Sequence, residues 1–231
     1  HNGTFAEYVC VPAANVHPCP AHLTTGQAAA LPLGGVTAYR ALFTRGRLQA
    51  GERVLITGIG GGVALLALQL AVARGAEVWV TSGSPDKIER AQQLGARGGR
   101  SYREPGWGKA LVQQAGGQFD LIVDSAAGPG VAELLEAAAP GGRLVFYGGT
   151  TGTMTNVPPR HIFWKQLDVL GSTMGTAEDF VALLDLVNES RLVPVTEEIF
   201  DLADGEKALR RMTEGQQFGK LILQIKQFVT Y

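Results

Sequence analysis

Cysteine is scarce in this chain, with only Cys10 and Cys19 among 231 residues. Two cysteines are too few for a disulfide framework or a four-cysteine zinc site, so a reducing cytoplasm is the expected location. Long apolar runs are also missing, since none reaches the roughly 18 residues that indicate a membrane span. The formal net charge of −1 gives no electrostatic reason to expect nucleic acid or an acidic membrane surface as a partner.

Apolar residues make up 45% of the chain and charged residues 18%, as expected for a soluble protein with a sizeable core. From residue 53 onward, short apolar segments alternate with helical ones. The pattern predicts strands at 53–58, 76–83, 100–102, 119–128, 141–149 and 167–175, and helices at 63–74, 85–94 (with Ser84 as the N-cap and Gly95 as the stop), 109–115 and 131–139. This alternation predicts parallel pairing through right-handed crossovers. Near-continuous apolar strands are typical of a sheet covered on both faces, so the predicted fold class is α/β with a doubly wound parallel sheet.

Both ends of the chain differ from this pattern. The stretch TFAEYVCVP (4–12) alternates like a strand and needs sheet partners, but no partner strand follows for roughly forty residues. We therefore expect the chain to begin inside a domain whose earlier part is absent. The later pattern predicts a helix at 177–188, a strand at 195–200, a helix at 204–214 and a strand at 220–225. We interpret the two ends as parts of a second domain.

The stretch TGIGGGVALLALQLA (57–71) places four glycines before a helix-forming run that carries no charge. A glycine turn between a strand and a helix brings backbone N–H groups close to a phosphate, and the helix N terminus adds partial positive charge. The spacing departs from G-x-G-x-x-G, because Val63 stands at the third glycine position. On spacing alone, the turn is either a dinucleotide site formed by Gly60, Gly61, Gly62 and Val63 or merely a tight turn.

The predicted strands end in small or hydroxyl-bearing residues. Their carboxyl ends read TGIGGG, TSGS, DSAAG, YGGTTG and LGSTMG, and none carries a large apolar plug. Turns favour Gly and Ser in any case, which accounts for some of these ends. All of them together favour a long ligand lying across the edge of the sheet where the strands end. Candidate contacts along this edge are Ser82, Ser125, Gly148, Gly149 and Thr173.

The loop after the second predicted strand lacks an acidic residue. An NAD site usually places Asp or Glu about 20 residues after the glycines to bind the ribose 2′-hydroxyl, but this region reads VTSGS. Lys87 follows in the first turn of the next helix, where a cation opposes the helix dipole unless an anion compensates. A 2′-phosphate is such an anion, with Ser82 or Ser84 as donors, so NADP(H) is favoured over NAD(H). Asp86 leaves a ribose contact open, although its spacing predicts a pair with Arg90.

These residues allow a family to be named. The chain resembles the medium-chain dehydrogenases/reductases, in the branch of zinc-type alcohol dehydrogenases and quinone oxidoreductases, from Gly3 to about Ile225. The motifs are GTFAEYV, LPLGGVTAYRAL (31–42), the glycine turn, IFWKQLDVLGSTMG (162–175) and FGKLILQI (218–225). The resemblance implies a Rossmann dinucleotide-binding domain (31–174, with its leading helix) inserted into a second, mostly β catalytic domain, of which 1–30 and 175–231 are remnants.

The resemblance also implies particular cofactor contacts. In NADPH-bound quinone oxidoreductases, a Lys after the second strand and a Tyr just after the third grip the 2′-phosphate, and Lys87 and Tyr102 match that pair. A further basic residue near the C terminus often helps, but Gly215 stands there in this chain. Thr37, the backbone of YGGTTG and the STMG turn are placed near the nicotinamide.

The resemblance does not extend to catalytic zinc. In the alcohol dehydrogenases one zinc ligand is a Cys four positions before the Thr of the VTAY-like motif, and this chain has Leu33 there. An aliphatic side chain cannot bind metal, and Cys10 and Cys19 fit no metal-ligand spacing. Zinc is therefore not expected from these residues. We name no catalytic residue, because Tyr39 is more typical of a helix core and His161 of a surface or capping position.

The resulting prediction is an NADP(H)-dependent oxidoreductase that transfers hydride to a quinone, an enone or a related carbonyl compound. We expect the substrate to be a small molecule, and we expect neither nucleic acid nor a membrane as a partner. We also expect a homodimer that forms through the Rossmann domain. Three alternatives stay open: a dinucleotide-binding module without turnover, a zinc-type alcohol dehydrogenase whose metal ligands lie in the missing region, and an S-adenosylmethionine methyltransferase. An S-adenosylmethionine methyltransferase usually has an acidic residue after its second strand, so the sequence TSGS at that position argues against this alternative.

Overall fold

The computed structural model describes residues 3–225. Its main element is a six-stranded, all-parallel sheet with the order β3-β2-β1-β4-β5-β6. The strands are β1 (Arg53–Ile56), β2 (Glu77–Ser82), β3 (Gly98–Ser101), β4 (Phe119–Asp124), β5 (Ala138–Phe146) and β6 (Asp168–Gly171). Each strand is short and is followed by a helical crossover, as the alternating sequence pattern predicts. The sheet is that of a Rossmann fold, which confirms the predicted fold class.

Nine α-helices accompany the strands within the described residues. They are α1 (Thr25–Ala29), α2 (Pro32–Tyr39), α3 (Gly62–Ala73), α4 (Pro85–Gln93), α5 (Trp107–Ala115), α6 (Val131–Ala137), α7 (Pro159–Lys165), α8 (Ala177–Ser190) and α9 (Gly205–Thr213). A π-helical segment, Arg40–Arg45, continues α2. The observed bounds of the predicted helices differ from the predicted ones by no more than two residues at any end, as at the start of α5.

Two cores lie on opposite faces of the sheet, because successive side chains of a strand point to opposite faces. In β1, Val54 and Ile56 pack with α2, α3, α4 and α8, whereas Leu55 packs with α5 and α6. The uncharged run of α3 is explained by its position between the sheet and the helices α2 and α8. Leu65, Leu66 and Leu68 are all buried there, so α3 has no wide face exposed to water.

The chain after α8 forms a small separate sheet. Strands β7 (Thr196–Asp201) and β8 (Lys220–Gln224) pair in parallel, and α9 connects them. The N–H of Gly219, just before β8, donates to the carbonyl oxygen of Gly60 at 3.0 Å. This hydrogen bond places the start of β8 directly beside the glycine turn of the main sheet.

The predicted strand at residues 4–12 is wrong. The structure shows extended and bent backbone there, and no described strand pairs with it. Phe5, Tyr8 and Val9 remain exposed. An alternating sequence forms a strand only where a neighbouring strand takes its backbone hydrogen bonds, and the described part of the chain provides none. The predicted domain bounds, which reach beyond the described residues at both ends, stay a prediction.

Candidate functional site

The turn between β1 and α3 has a backbone that requires glycine. Gly58 has φ +65° and Gly60 has φ +116°, a left-handed region that side chains other than glycine's rarely enter. Between them Ile59 is buried, and its N–H donates to the carbonyl oxygen of Thr81 at 2.8 Å. The turn is therefore fixed to the end of β2, and Gly61 occupies the position just before the first residue of α3.

The N terminus of α3 is open to an anion. No side chain caps Gly61, so the first-turn N–H groups of α3 have no side-chain acceptor. A Cβ atom on Gly61 would meet nothing closer than the carbonyl oxygen of Gly58 at 3.7 Å. Among the predicted contacts Gly60, Gly61, Gly62 and Val63, open space lies in front of Gly61, while the side chains of Lys87 and Lys220 lie over Gly60 and Gly62. An uncapped helix N terminus of this kind binds phosphate in other proteins.

A cleft of about 690 Å³ lies in front of this turn. It is bounded by the glycine turn, by the loop after β2, by the turn after β3 and by the segment after α9. Its lining residues are Gly58, Ile59, Gly60, Gly61, Ser82, Gly83, Ser84, Pro85, Lys87, Tyr102, Arg103, Glu214, Gly215, Gln216 and Gln217. The structure therefore brings Ser82, Lys87 and Tyr102 together with the glycine turn, as the sequence predicts.

Lys87 crosses the cleft. Its side chain covers Gly60, where a Cβ atom would lie 2.7 Å from the Lys87 Cδ, and its Nζ donates to the carbonyl oxygen of Gly215 at 2.8 Å. Burial lowers the pKa of Lys87, Arg90 and Arg211 lower this pKa further, and Glu197 opposes them. An ammonium group that is disfavoured by burial and by neighbouring cations gains stability from an anion placed beside it.

The loop after β2 presents hydroxyl and backbone groups but no carboxylate. Ser82 is buried; its hydroxyl donates to the carbonyl oxygen of Ile59 at 3.4 Å and accepts from the N–H of Ser84 at 3.2 Å. Ser84 stands just before α4, as predicted, although its side chain makes no capping hydrogen bond. The predicted pair of Asp86 with Arg90 is wrong, because Arg90 stacks instead on the Phe218 ring at 4.0 Å.

Sequence reasoning missed two cations at this site. Lys220, the first residue of β8, lies over Gly62 in the place that a Cβ atom there would take. Arg103 lies over Gly83 and lines the cleft. The motif FGKLILQI contains Lys220. However, Lys220 reaches the glycine turn only because the chain after α9 returns beside Gly60. Arg103 follows Tyr102 directly, so its position could have been considered with that of Tyr102.

The other predicted contacts lie at the ends of β4, β5 and β6. A Cβ atom on Gly58 would lie 3.6 Å from the Ser125 hydroxyl, and one on Gly148 would lie 2.8 Å from the Ser125 carbonyl oxygen, while Gly149 has open space around it. Thr173 is exposed after β6. Thr37 is buried in α2 and its hydroxyl donates to the Leu33 carbonyl oxygen at 2.7 Å. None of these residues lines the 690 Å³ cleft, so the structure places them along the same edge but not in that cleft.

A buried carboxylate organises the loop after β4. Asp124 accepts hydrogen bonds from the hydroxyl of Thr57 and from the N–H groups of Ala126 (3.0 Å) and Ala127 (2.6 Å). Burial raises the pKa of Asp124, and these hydrogen bonds oppose the change. They also hold Ala127 at φ +55°, which is unfavourable for a residue with a side chain. Asp124 therefore positions the loop that contains Ser125.

The tyrosines near this edge are poor acids. Burial raises the pKa of Tyr147 to about 12. The hydrogen bond between the Tyr147 phenol and Ser125 acts in the opposite direction. Burial also raises the pKa of Tyr39, whose ring packs against Phe43 with centroids 4.7 Å apart. His161 has a buried Nδ1 without a partner in the described residues. None of these side chains is assigned a catalytic role.

The described residues do not form a zinc site. Across residues 3–225, no three His, Cys, Asp or Glu side chains come together as a set that could hold a metal ion. Leu33 stands where the resemblance places a zinc-binding Cys, and Cys10 and Cys19 are both exposed single thiols. These side chains do not fit a zinc ion. In the same range, no helix is both long and apolar enough for a membrane crossing.

The sheet order and the glycine turn between β1 and α3 define a Rossmann fold. A family model described as zinc-binding dehydrogenase matches residues 62–189, which is more than half of the chain. The chain therefore belongs to this family, which confirms the resemblance seen in the sequence.

Known relatives cover nearly the whole chain. A zinc-type alcohol dehydrogenase-like protein, YogA, from Leptosphaeria maculans is 34% identical over 96% of this chain and 65% of its own length. A crystal structure of an NAD-dependent alcohol dehydrogenase superposes with a TM-score of 0.92 at 36% identity, over 97% of this chain and 66% of that one. The 2-octenoyl-CoA carboxylase reductase CinF, in complex with NADP and 2-octenoyl-CoA, gives 0.87 at 27% identity, over 93% and 53%. The chain thus spans about two thirds or less of the length of these relatives.

Proposed function

We propose that this chain binds NADP(H) in preference to NAD(H) and belongs to an oxidoreductase that reduces a quinone, an enone or a related carbonyl compound. The observation that carries the proposal is the open N terminus of α3 beside a cleft containing Lys87 and Tyr102 and no carboxylate from the loop after β2. The uncapped turn favours a bridging diphosphate, and the cleft favours a phosphate on the adenosine ribose.

Different residues in and near the cleft bind different parts of the coenzyme. The first-turn N–H groups of α3 donate to the diphosphate, with the Lys220 ammonium group near the same turn. Lys87 and the Tyr102 hydroxyl bind the 2′-phosphate, and the Ser82–Ser84 loop supports the ribose. Gly149 has open space beside it near the strand ends, where the nicotinamide half would lie, and Gly148 packs closely against the loop that Asp124 supports. When bound, the nicotinamide supplies the hydride, and the chain contributes its position and orientation.

The class of acceptor follows from the donors that the chain offers. The described residues present no set suited to zinc, and Leu33 replaces a metal-binding side chain of the alcohol dehydrogenases. Acceptors that are already activated, such as quinones and enones, need less polarisation by the protein than a simple ketone does. The relative that was solved with NADP and 2-octenoyl-CoA contains such an activated alkene in its complex, which supports this choice.

Thermal protection tests the coenzyme preference. At equal concentrations, NADPH is expected to raise the unfolding temperature of the chain more than NADH does, because a ligand stabilises the folded state according to its affinity. The test is demanding because one relative of known structure is described as NAD-dependent, the opposite preference. Equal protection by the two coenzymes would contradict the role of Lys87 and Tyr102.

A second candidate function is a dinucleotide-binding module without turnover. It is favoured by one observation, namely that burial raises the pKa of both Tyr39 and Tyr147, which makes these two phenols weaker proton donors. Oxidation of NADPH in the presence of a panel of quinones and enones separates the two functions. Turnover with any acceptor supports the oxidoreductase, whereas tight NADPH binding with no turnover supports the module.

We also propose that two copies of the chain associate through their Rossmann sheets. Strand β6 is at one end of the sheet, and no described strand covers its outer edge. Phe163 and Trp164, on the helix before β6, are 64% and 74% exposed. A cytoplasmic location stays a prediction.

A further inference from the structure

The Arg103 guanidinium group lies next to the Tyr102 hydroxyl in the cleft. A Cβ atom on Gly83 would lie 2.8 Å from the Tyr102 Oη, 2.8 Å from the Arg103 Nε and 3.1 Å from the Arg103 Nη2. Both side chains therefore extend over the same glycine of the loop after β2. A single phosphate group in front of Gly83 could contact both of them.

Arg103 has no anionic partner within residues 3–225. It takes part in none of the ion pairs there, and its only hydrogen bond is made by its backbone N–H, which donates to the Ser101 hydroxyl at 3.2 Å. The adjacent carboxylate, Glu104, pairs instead with Arg100 at 2.8 Å. An arginine has five donors that match the oxygens of a phosphate, and those of Arg103 are all free for a ligand.

The backbone around Arg103 is held in place. The N–H of Tyr102 donates to the Ser82 carbonyl oxygen, and the N–H of Glu104 donates to the Ser101 carbonyl oxygen, each at 3.3 Å. The turn after β3 is thereby attached to the end of β2, and the two side chains leave it toward Gly83. A side chain on a fixed turn loses less entropy on binding than one on a loose loop.

We infer that Arg103 is a specificity-determining residue that binds the 2′-phosphate of NADP(H) together with Lys87 and Tyr102. The inference rests on the proposed function, since it concerns the same cleft. Lys87 reaches the cleft from α4 and Arg103 from the turn after β3, so the two cations approach a bound phosphate from different elements. Arg103 supplies the second cation that Gly215 cannot supply from the C-terminal side.

The experiment measures the binding of two nucleotides that differ only by the phosphate. Adenosine 2′,5′-bisphosphate and 5′-AMP are titrated calorimetrically into the 231-residue chain and its Arg103→Gln variant, in a buffer free of phosphate. The variant is expected to bind the bisphosphate at least about tenfold more weakly, because a charge-assisted phosphate contact is lost. Its affinity for 5′-AMP is expected to be unchanged. Arg103→Lys, which keeps the charge but not the planar fork, is expected to fall between the two.

Matched controls separate this inference from the proposed function. Arg97→Gln removes an exposed arginine from the connection between α4 and β3, outside the cleft, and it should change neither affinity. If the wild-type chain itself does not prefer the bisphosphate, the proposed NADP(H) preference fails. If it does, and Arg103→Gln keeps the full preference, the role of Arg103 is refuted while the proposed function stands. Equal weakening toward both nucleotides would also refute it, because Arg103 would then act on the adenosine.

Discussion

Lys87 is surrounded by groups that disfavour its positive charge. Burial lowers its pKa, Arg90 and Arg211 act in the same direction, and only Glu197 opposes them. Its Nζ meanwhile donates to a neutral carbonyl, that of Gly215, at 2.8 Å. A phosphate that replaces this neutral acceptor would place a negative charge beside the ammonium group, so both partners of the hydrogen bond would be ionised.

Reversing the charge of Lys87 tests this electrostatic role. We expect Lys87→Glu to narrow or invert the preference for NADPH over NADH, because a carboxylate repels the 2′-phosphate and accepts a hydrogen bond from a 2′-hydroxyl. The ratio of the two dissociation constants should change by about tenfold or more, as for the loss of one charged hydrogen bond. Isothermal titration with both coenzymes measures it. Lys109→Glu, an exposed charge reversal on α5, is the control, and an unchanged ratio in Lys87→Glu would refute the assigned role.

At the residue level, the sequence predicted which side chains meet at one sheet edge, while their contacts with a cofactor stay a prediction. Ser82 ends β2, Lys87 follows it in α4 and Tyr102 follows β3; parallel strands end at the same edge, so the meeting of these residues in one cleft follows from the topology. Lys220 could not be placed in this way, because its position depends on a hydrogen bond between Gly219 and Gly60. Asp86 and Arg90 were mispaired because the Phe218 ring, distant in sequence, binds the guanidinium group.

Helix α8 is attached to the rest of the fold by a buried carboxylate in its first turn. Asp179 pairs with Arg40 at 2.7 Å, accepts from the Thr44 hydroxyl at 2.5 Å and accepts from the N–H of Thr176 at 2.9 Å. Burial alone would raise the pKa of Asp179, but these hydrogen bonds outweigh it and the pKa is lowered. Because Arg40 and Thr44 belong to the π-helical continuation of α2, Asp179 fixes α8 against the helix pair that covers α3.

The lowered pKa gives this attachment a defined pH dependence. A carboxylate whose pKa is lower in the folded state contributes stability above its ordinary pKa of 3.8, and the contribution is lost as pH falls through the folded-state pKa. Asp179→Asn should reduce the free energy of unfolding by about 3 kcal/mol near neutral pH, as for a buried pair that loses one partner. The deficit should shrink in acid below the ordinary pKa.

Urea unfolding at a series of pH values measures both effects. Asp185→Asn, an exposed substitution on the same helix, should change the free energy of unfolding by no more than about 0.5 kcal/mol at any pH. A deficit of Asp179→Asn that stays constant into acid would contradict the electrostatic account and leave only a packing role for Asp179.

At the level of elements, the periodicity of apolar residues and the residue types at the turns were sufficient to predict the strands of the main sheet. The strands β1, β2 and β4 are continuous apolar runs that end in small residues, and each was predicted within a few residues of its observed bounds. The segment 4–12 has an equally clear alternation and forms no strand. The difference is that β1 has β2 and β4 as partners in this chain, whereas a strand's stability depends on partners that its own sequence does not contain.

Both ends of the main sheet, β3 and β6, have an outer edge that no described strand covers, and only the β6 end is apolar. Val169, on the edge strand β6, is 46% exposed, and the neighbouring helix α7 exposes the large side chains of Phe163 and Trp164. Exposed apolar groups beside an unpaired strand edge are typical of an interface, since both the backbone groups and the side chains gain partners on association. The other end of the sheet, at β3, is polar: its strand reads GGRS.

Association of two copies through this surface is expected to depend on Trp164. The wild-type chain should sediment as a dimer at micromolar concentration, and Trp164→Glu should shift it to a monomer, because a buried carboxylate without a partner is strongly unfavourable at an apolar interface. Analytical ultracentrifugation over a concentration series measures the change. Met212→Glu introduces the same charge at an exposed apolar position on α9, distant from β6, and should leave the dimer intact. Two outcomes would rule out β6 and α7 as the interface: a wild-type chain that remains monomeric throughout, or a Trp164→Glu variant that remains dimeric. Their exposed side chains would then have to be covered by another partner.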